Sequence, residues 1–198
     1  MKPFSLTKSE IVGALILARK GISQYLELMA LFPSVDVSAD PEFQRQYNHF
    51  YRVRQKPTNW YRSYFRAMQE LRTAKPLFAD VLDRLRDEVG SCEASFSSKL
   101  VATLDPSKPV WDSFVLNNMG IPPLRTSSPH RFDQAKKNYA RIEEWYELFL
   151  ASENGRAVVR AFDEIVPQHG AITDLKKVDF VLWQTRPVKT EGPEPELF

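Results

Sequence analysis

Residues 98–121 read SKLVATLDPSKPVWDSFVLNNMGI. The first part, with the residues just before it, is apolar enough to predict a short helix over residues 94–104 that carries Lys99. Pro106 and Pro109 then bound a loop. Asp112 is a good N-cap for a second short helix, and Gly120 ends that helix. A lysine and an aspartate placed in this way can meet in space across one turn of chain. The stretch contains no period-two alternation, so its order is helix, loop, helix.

The same order extends outward in both directions. Residues 9–31 carry Ile11, Leu15, Ile22, Leu26 and Met29 at helical spacing, which predicts one or two core-facing helices. Asp40-Pro41 reads as a cap followed by a first-turn proline, opening a helix that runs to about Tyr51. Further helices are predicted over residues 60–72, from Lys75-Pro76 to Gly90, over 132–150, 153–165 and 173–184, the last capped by Thr173. Residues 122–130 hold three prolines and several hydroxyls and read as a loop. Residues 187–198, PVKTEGPEPELF, read as a disordered tail. The expected class is all-α.

Composition narrows the field. With 198 residues and 43% hydrophobic content, the chain can bury a core without staples. One cysteine, Cys92, rules out an intrachain disulfide. Three scattered histidines with that cysteine make no metal-ligand spacing, so no metal and no cofactor is expected. The apolar run over residues 11–18 is too short to span a bilayer, which points to a cytoplasmic protein without a membrane role. A net charge of +2 is too small to name a partner, so only local charge informs.

Local charge does inform in one place. Residues 43–68 hold six Arg and Lys residues and no acid, interleaved with Tyr47, Phe50, Tyr51, Trp60, Tyr61, Tyr64 and Phe65. Cations neutralise phosphates and aromatic faces stack on bases, so the segment is a candidate DNA-binding surface. Arg52, Arg54, Lys56, Asn59 and Arg62 are its contact candidates. The same pattern also suits a core face beside a solvated face.

Lys99 and Asp112 carry the chemistry. A lysine desolvated by apolar neighbours becomes a nucleophilic amine. A carboxylate beside it stabilises a developing cation or activates water. Cleavage of an N-glycosidic bond calls on both, because the sugar passes through an oxocarbenium-like state.

These residues resemble the catalytic core of the helix-hairpin-helix DNA glycosylases, the endonuclease III and 8-oxoguanine glycosylase superfamily. In that superfamily a lysine-bearing helix is followed by a loop and a V-D-x-x-V-type motif, and the next helix ends in Leu-Gly-Ile. Here Val110-Trp111-Asp112-Ser113-Phe114-Val115 stands at the motif and Asn118-Met119-Gly120-Ile121 at the ending. The resemblance implies that Asp112 is the catalytic aspartate and Lys99 the amine that attacks the sugar. Where the family has a glycine-rich, phosphate-holding turn, this chain has Ala94-Ser95-Phe96-Ser97-Ser98, and Ser97 and Ser98 are the expected substitutes. The interval from Lys99 to Asp112 is shorter than is usual in the family. In 8-oxoguanine-type enzymes a late helix helps form the base pocket, which makes Trp183 and Gln184 candidates alongside Trp111.

The implied architecture is a single bilobed all-α unit over residues 1–186. One lobe covers 36–104; the other joins 1–35 to 112–186. The implied function is excision of a damaged or modified base from DNA, with or without cleavage at the abasic site. A non-enzymatic nucleic-acid-binding protein and a helical partner-binding protein are the competing classes.

Overall fold

The computed structural model describes residues 4–125 and 128–185. Among them are nine α-helices, two short 3-10 turns and no strand. The expected tail, 187–198, lies outside the described residues.

Helix α1 (Lys8–Leu31) is one continuous helix. Thr7 accepts a hydrogen bond from the Glu10 amide, and the Glu10 carboxylate accepts one from the Thr7 amide at 2.7 Å. This reciprocal box satisfies donors that a helix start otherwise leaves bare. Ile11, Leu15, Ala18, Ile22, Tyr25 and Leu28 form its buried stripe.

Helix α2 (Pro41–Phe50) starts under an Asp40 cap, with the Asp40 carboxylate accepting from the Phe43 amide at 2.7 Å. Helices α3 (Thr58–Glu70), α4 (Phe78–Val89) and α5 (Ala94–Leu104) follow. Gly90 ends α4 with φ of 74°, a left-handed turn that a residue with a Cβ resists. The chain reverses over Ser91–Glu93, and α4 and α5 pack as a helical hairpin. Helix α6 (Ser113–Met119) is short, capped by Asp112 and ended by Gly120 at φ of 70°.

Helix α7 (Arg131–Ala151) is followed by α8 (Glu153–Ile165) after Ser152 alone. Asn154 holds the N-terminal segment to α8 by exchanging two hydrogen bonds with the Leu6 backbone, at 2.9 and 2.7 Å. Helix α9 (Asp174–Gln184) is the hub: it packs on α1, α6, α7 and α8. Its residues from Lys176 to Leu182 are all buried, charged ones included. Helices α3, α4 and α5 stack on one another, α2 packs on α1, and α4 meets α7.

The aromatic residues of segment 43–68 belong to the core, which is the core-face reading of that segment and not the base-stacking one. Tyr47, Phe50, Tyr51, Trp60, Tyr64 and Phe65 are buried. Tyr47 and Tyr64 share a hydroxyl–hydroxyl bond of 2.6 Å, and the Tyr64 hydroxyl also donates to the Phe96 carbonyl. Trp60 and Tyr64 stack at 4.7 Å. These rings join α2 and α3 to α5, so they stiffen the helix that carries Lys99. No helix among the described residues is long and apolar enough to cross a membrane.

Candidate functional site

Helix α5 does more than carry Lys99. After Leu104 the chain turns at Asp105, whose carboxylate accepts from both the amide and the hydroxyl of Ser107. It then runs back along α5. The Ser98 hydroxyl accepts from the Trp111 amide at 2.8 Å, and the Ser95 hydroxyl donates to the Trp111 carbonyl at 2.9 Å. Tyr139 of α7 donates to the Pro109 carbonyl, and Thr173 to the Pro106 carbonyl. Two serines one helical turn apart thus latch both polar groups of one peptide residue. The residue after Ser98 is Lys99 and the residue after Trp111 is Asp112, so the latch brings the pair together despite the short interval between them.

This corrects the expectation for Ser97 and Ser98. Both are fully buried, so neither hydroxyl is placed to meet a phosphate. Ser98 is occupied by the latch, and the Ser97 hydroxyl has no hydrogen-bond partner among the described residues.

Lys99 and Asp112 stand where two cavities meet. A larger one of about 730 Å³ is lined by Glu93, Phe96, Trp111, Phe114 and Asn117 among others. A smaller one of about 80 Å³ is lined by Tyr51, Arg52, Val110, Lys176, Asp179 and Trp183 with Phe50. Lys99 and Asp112 line both, and among the described residues they alone are common to the two walls.

Each group is tuned by its surroundings. Burial lowers the Lys99 amine from its usual 10.5 to about 8; Asp112 opposes the shift and Arg52 adds to it. The ammonium lies 4.8 Å from the centre of the Phe96 ring. Burial likewise raises the Asp112 carboxyl above the ordinary carboxylate range, and Asp179 pushes it further up. The cap bond from the Phe114 amide, at 2.8 Å, and the Lys99 charge pull it back down. The pair therefore combines an amine that gives up its proton easily with a carboxyl that keeps its proton longer.

The lysine shift has a stability consequence with a definite sign. Between about pH 8 and 10.5 the unfolded chain holds a proton on Lys99 that the folded chain has released, so stability rises with pH across that window. At pH 7 the folded state bears the cost of the buried charge, at most about 3 kcal/mol. Lys99→Met is expected to raise stability at pH 7 by about 1–3 kcal/mol and to flatten the rise above pH 8. Urea unfolding at pH 7 and pH 10 measures both. A destabilised variant at pH 7 would show that the ammonium is well solvated.

The other expected residues are distributed unevenly. Trp111 is buried in the wall of the larger cavity and stacks at 6.3 Å on Phe78. Trp183 lines the smaller cavity under the Arg52 guanidinium, 5.1 Å from the ring centre. Gln184 is partly buried and lines neither cavity. Arg52 and Gln55 have φ of 54° and 58° in the loop between α2 and α3, a conformation that costs a non-glycine residue about 1 kcal/mol. That loop sets Arg52 over the small cavity. Arg54, Asn59 and Arg62 are exposed nearby. Lys56 instead forms an ion pair with the buried Glu93 at 2.7 Å.

Compared with protein-family models, curated proteins and solved structures, the chain matches none.

Three site residues escape a reading of the sequence. Glu93 accepts on one oxygen from Lys56, Trp60 and Ser91, at 2.7, 3.1 and 2.8 Å, at the edge of the larger cavity. Lys176 and Asp179 form a buried ion pair of 2.6 Å in the smaller one. The available signal for that pair was a lysine and an aspartate at i, i+3 within the otherwise apolar run VDFVLW and its flanks.

Proposed function

We propose that this is a cytoplasmic, DNA-glycosylase-like base-excision protein acting on a damaged or modified base. One observation carries the reading: a largely buried amine and a carboxyl alone border both cavities among the described residues, and burial lowers the amine's pKa. The resemblance of residues 98–121 to helix-hairpin-helix glycosylases agrees with it, as does the α4–α5 hairpin, whose second helix carries Lys99. Exposed Arg52, Arg54, Asn59 and Arg62 form the DNA contact surface in this reading.

In this reading the target base is rotated out of the duplex so that its C1′ atom reaches Lys99. The uncharged amine gives its lone pair to C1′. The C1′–N bond breaks and its electron pair leaves with the base. Ionised Asp112 stabilises the positive charge that builds on the sugar and takes the proton the amine sheds. The C1′–O4′ bond then breaks with its electron pair going to O4′, Asp112 returns the proton to that oxygen, and the nitrogen lone pair forms the Schiff base between Lys99 and C1′. At an abasic site the amine condenses directly with the C1′ aldehyde and releases water.

Borohydride reduces such a Schiff base to a stable amine. Protein incubated with abasic-site duplex and borohydride should form a covalent adduct that Lys99→Gln lacks. Its rate should rise about tenfold per pH unit up to about pH 8 and level off above it, because the neutral amine is the reacting form. No adduct with the unaltered protein, or an equal adduct with Lys99→Gln, sinks the assignment.

A further inference from the structure

The small cavity has a polar end that the chemistry above leaves unused. Lys176 is only 5% exposed, yet it lines this cavity. Its ammonium has three N–H donors and one hydrogen-bond acceptor among the described residues, the Asp179 carboxylate. The rest of its surroundings are ring faces: Tyr25, Phe50, Tyr51 and Phe180 lie 5.2, 5.6, 5.8 and 5.2 Å from it. Asp179 is held on its other oxygen by the Tyr146 hydroxyl at 3.0 Å. The ammonium is thus fixed in place and short of oxygen acceptors.

The charges around the cavity are unbalanced in the same sense. Arg52, Lys99 and Lys176 face Asp112 and Asp179 across it. A group that enters and displaces water must offer an acceptor, since a buried donor left bare is costly. At about 80 Å³ the cavity is smaller than one that accepts a whole benzene ring, roughly 150 Å³, so it suits the edge of a ring. Lys99 and Asp112 sit on its border, so a base edge inside it leaves the sugar beside them.

We propose that Lys176, held by Asp179, is a specificity-determining residue that donates to a carbonyl oxygen on the base, so that the substrate is a keto-bearing base. The inference rests on the base-excision reading for its substrate but not for its measurement. Bases whose entering edge carries a carbonyl gain this bond. Bases that present an amino edge bring a donor to a donor and are rejected.

The test uses free heterocycles and fluorine NMR on the full chain. The probes are 5-fluorouracil and 2-amino-5-fluoropyrimidine, which share a ring and a fluorine but only the first has carbonyls. The unaltered protein should bind 5-fluorouracil about tenfold more tightly. The preference should vanish in the paired variant Lys176→Met, Asp179→Asn, which leaves no lone buried charge. Should that variant not fold, the Lys176 ammonium resonance of the unaltered protein serves instead. It should shift with 5-fluorouracil and stay still with the aminopyrimidine. Equal binding of the two probes, binding of neither at millimolar concentration, a preference that survives the paired variant, or an unmoved ammonium resonance overturns the inference. Neither probe contains a sugar. A preference without a borohydride adduct keeps the carbonyl site and removes base excision; an adduct without a preference does the reverse.

Discussion

Lys176→Ala is expected to destabilise the protein by about 3–5 kcal/mol, a large part of the stability of an ordinary domain. Lys176 and Asp179 are 5% and 6% exposed and their charged atoms lie 2.6 Å apart. Removing the lysine leaves Asp179 with the Tyr146 hydroxyl as its remaining donor among the described residues, and the carboxyl group stays in the core. It also withdraws the cation from four ring faces. The loss belongs to the stranded partner more than to the missing contact. The paired replacement Lys176→Met, Asp179→Asn should therefore cost far less than the single one, about 1 kcal/mol. Urea unfolding of both variants gives the comparison. A single-variant loss below about 1 kcal/mol would mean that water reaches Asp179 freely.

Gly155→Ala is expected to cost about 3 kcal/mol or more, against the usual helix rule. In a helix, alanine in place of glycine ordinarily gains about 1 kcal/mol. At Gly155 the added Cβ would lie 1.9 Å from the Phe149 carbonyl oxygen and 2.7 Å from its carbon. Those are backbone atoms at the end of α7, so no side chain can swing aside. The same carbonyl also accepts from the Ser152 amide and hydroxyl, which fixes the corner between α7 and α8. Gly13, in the second turn of α1, has nothing within 4 Å of a Cβ. Gly13→Ala is the control and should be neutral or gain up to about 1 kcal/mol. Equal melting temperatures for the two variants would show that the α7–α8 corner relaxes without strain.

Local punctuation explains why so much of the fold is readable in the chain. Asp40-Pro41, Gly90, Asp112 with Gly120, and Thr173 each mark a helix end, because caps and left-handed glycines act within a few residues. The approach of Lys99 to Asp112 was legible as a possibility, whereas its cause was not. The latch joins Ser95 and Ser98 to Trp111 through tertiary hydrogen bonds, and a serine pair on a helix carries no mark of its partner. Interleaved basic and aromatic residues in segment 43–68 fit both a stacking surface and a core face. Burial decides between them, and it puts seven of the rings inside, Phe43 included. Lys176 and Asp179 look like solvated charges on an amphipathic helix. Helix α9 is instead surrounded by α1, α6, α7 and α8, so the usual outward face does not exist.

The serine latch makes the register between amine and carboxyl a property of one rigid rod. Helix α5 carries Lys99 and also grips the last peptide before Asp112. The chain between Asp105 and Pro109 is then a tether whose contour length has no say in where the two groups stand. Adding or removing a residue in such a tether should leave the pair in register. Where the two groups stand is set by the two serines, and the thirteen-residue interval between Lys99 and Asp112 is neither stretched nor slack on that account.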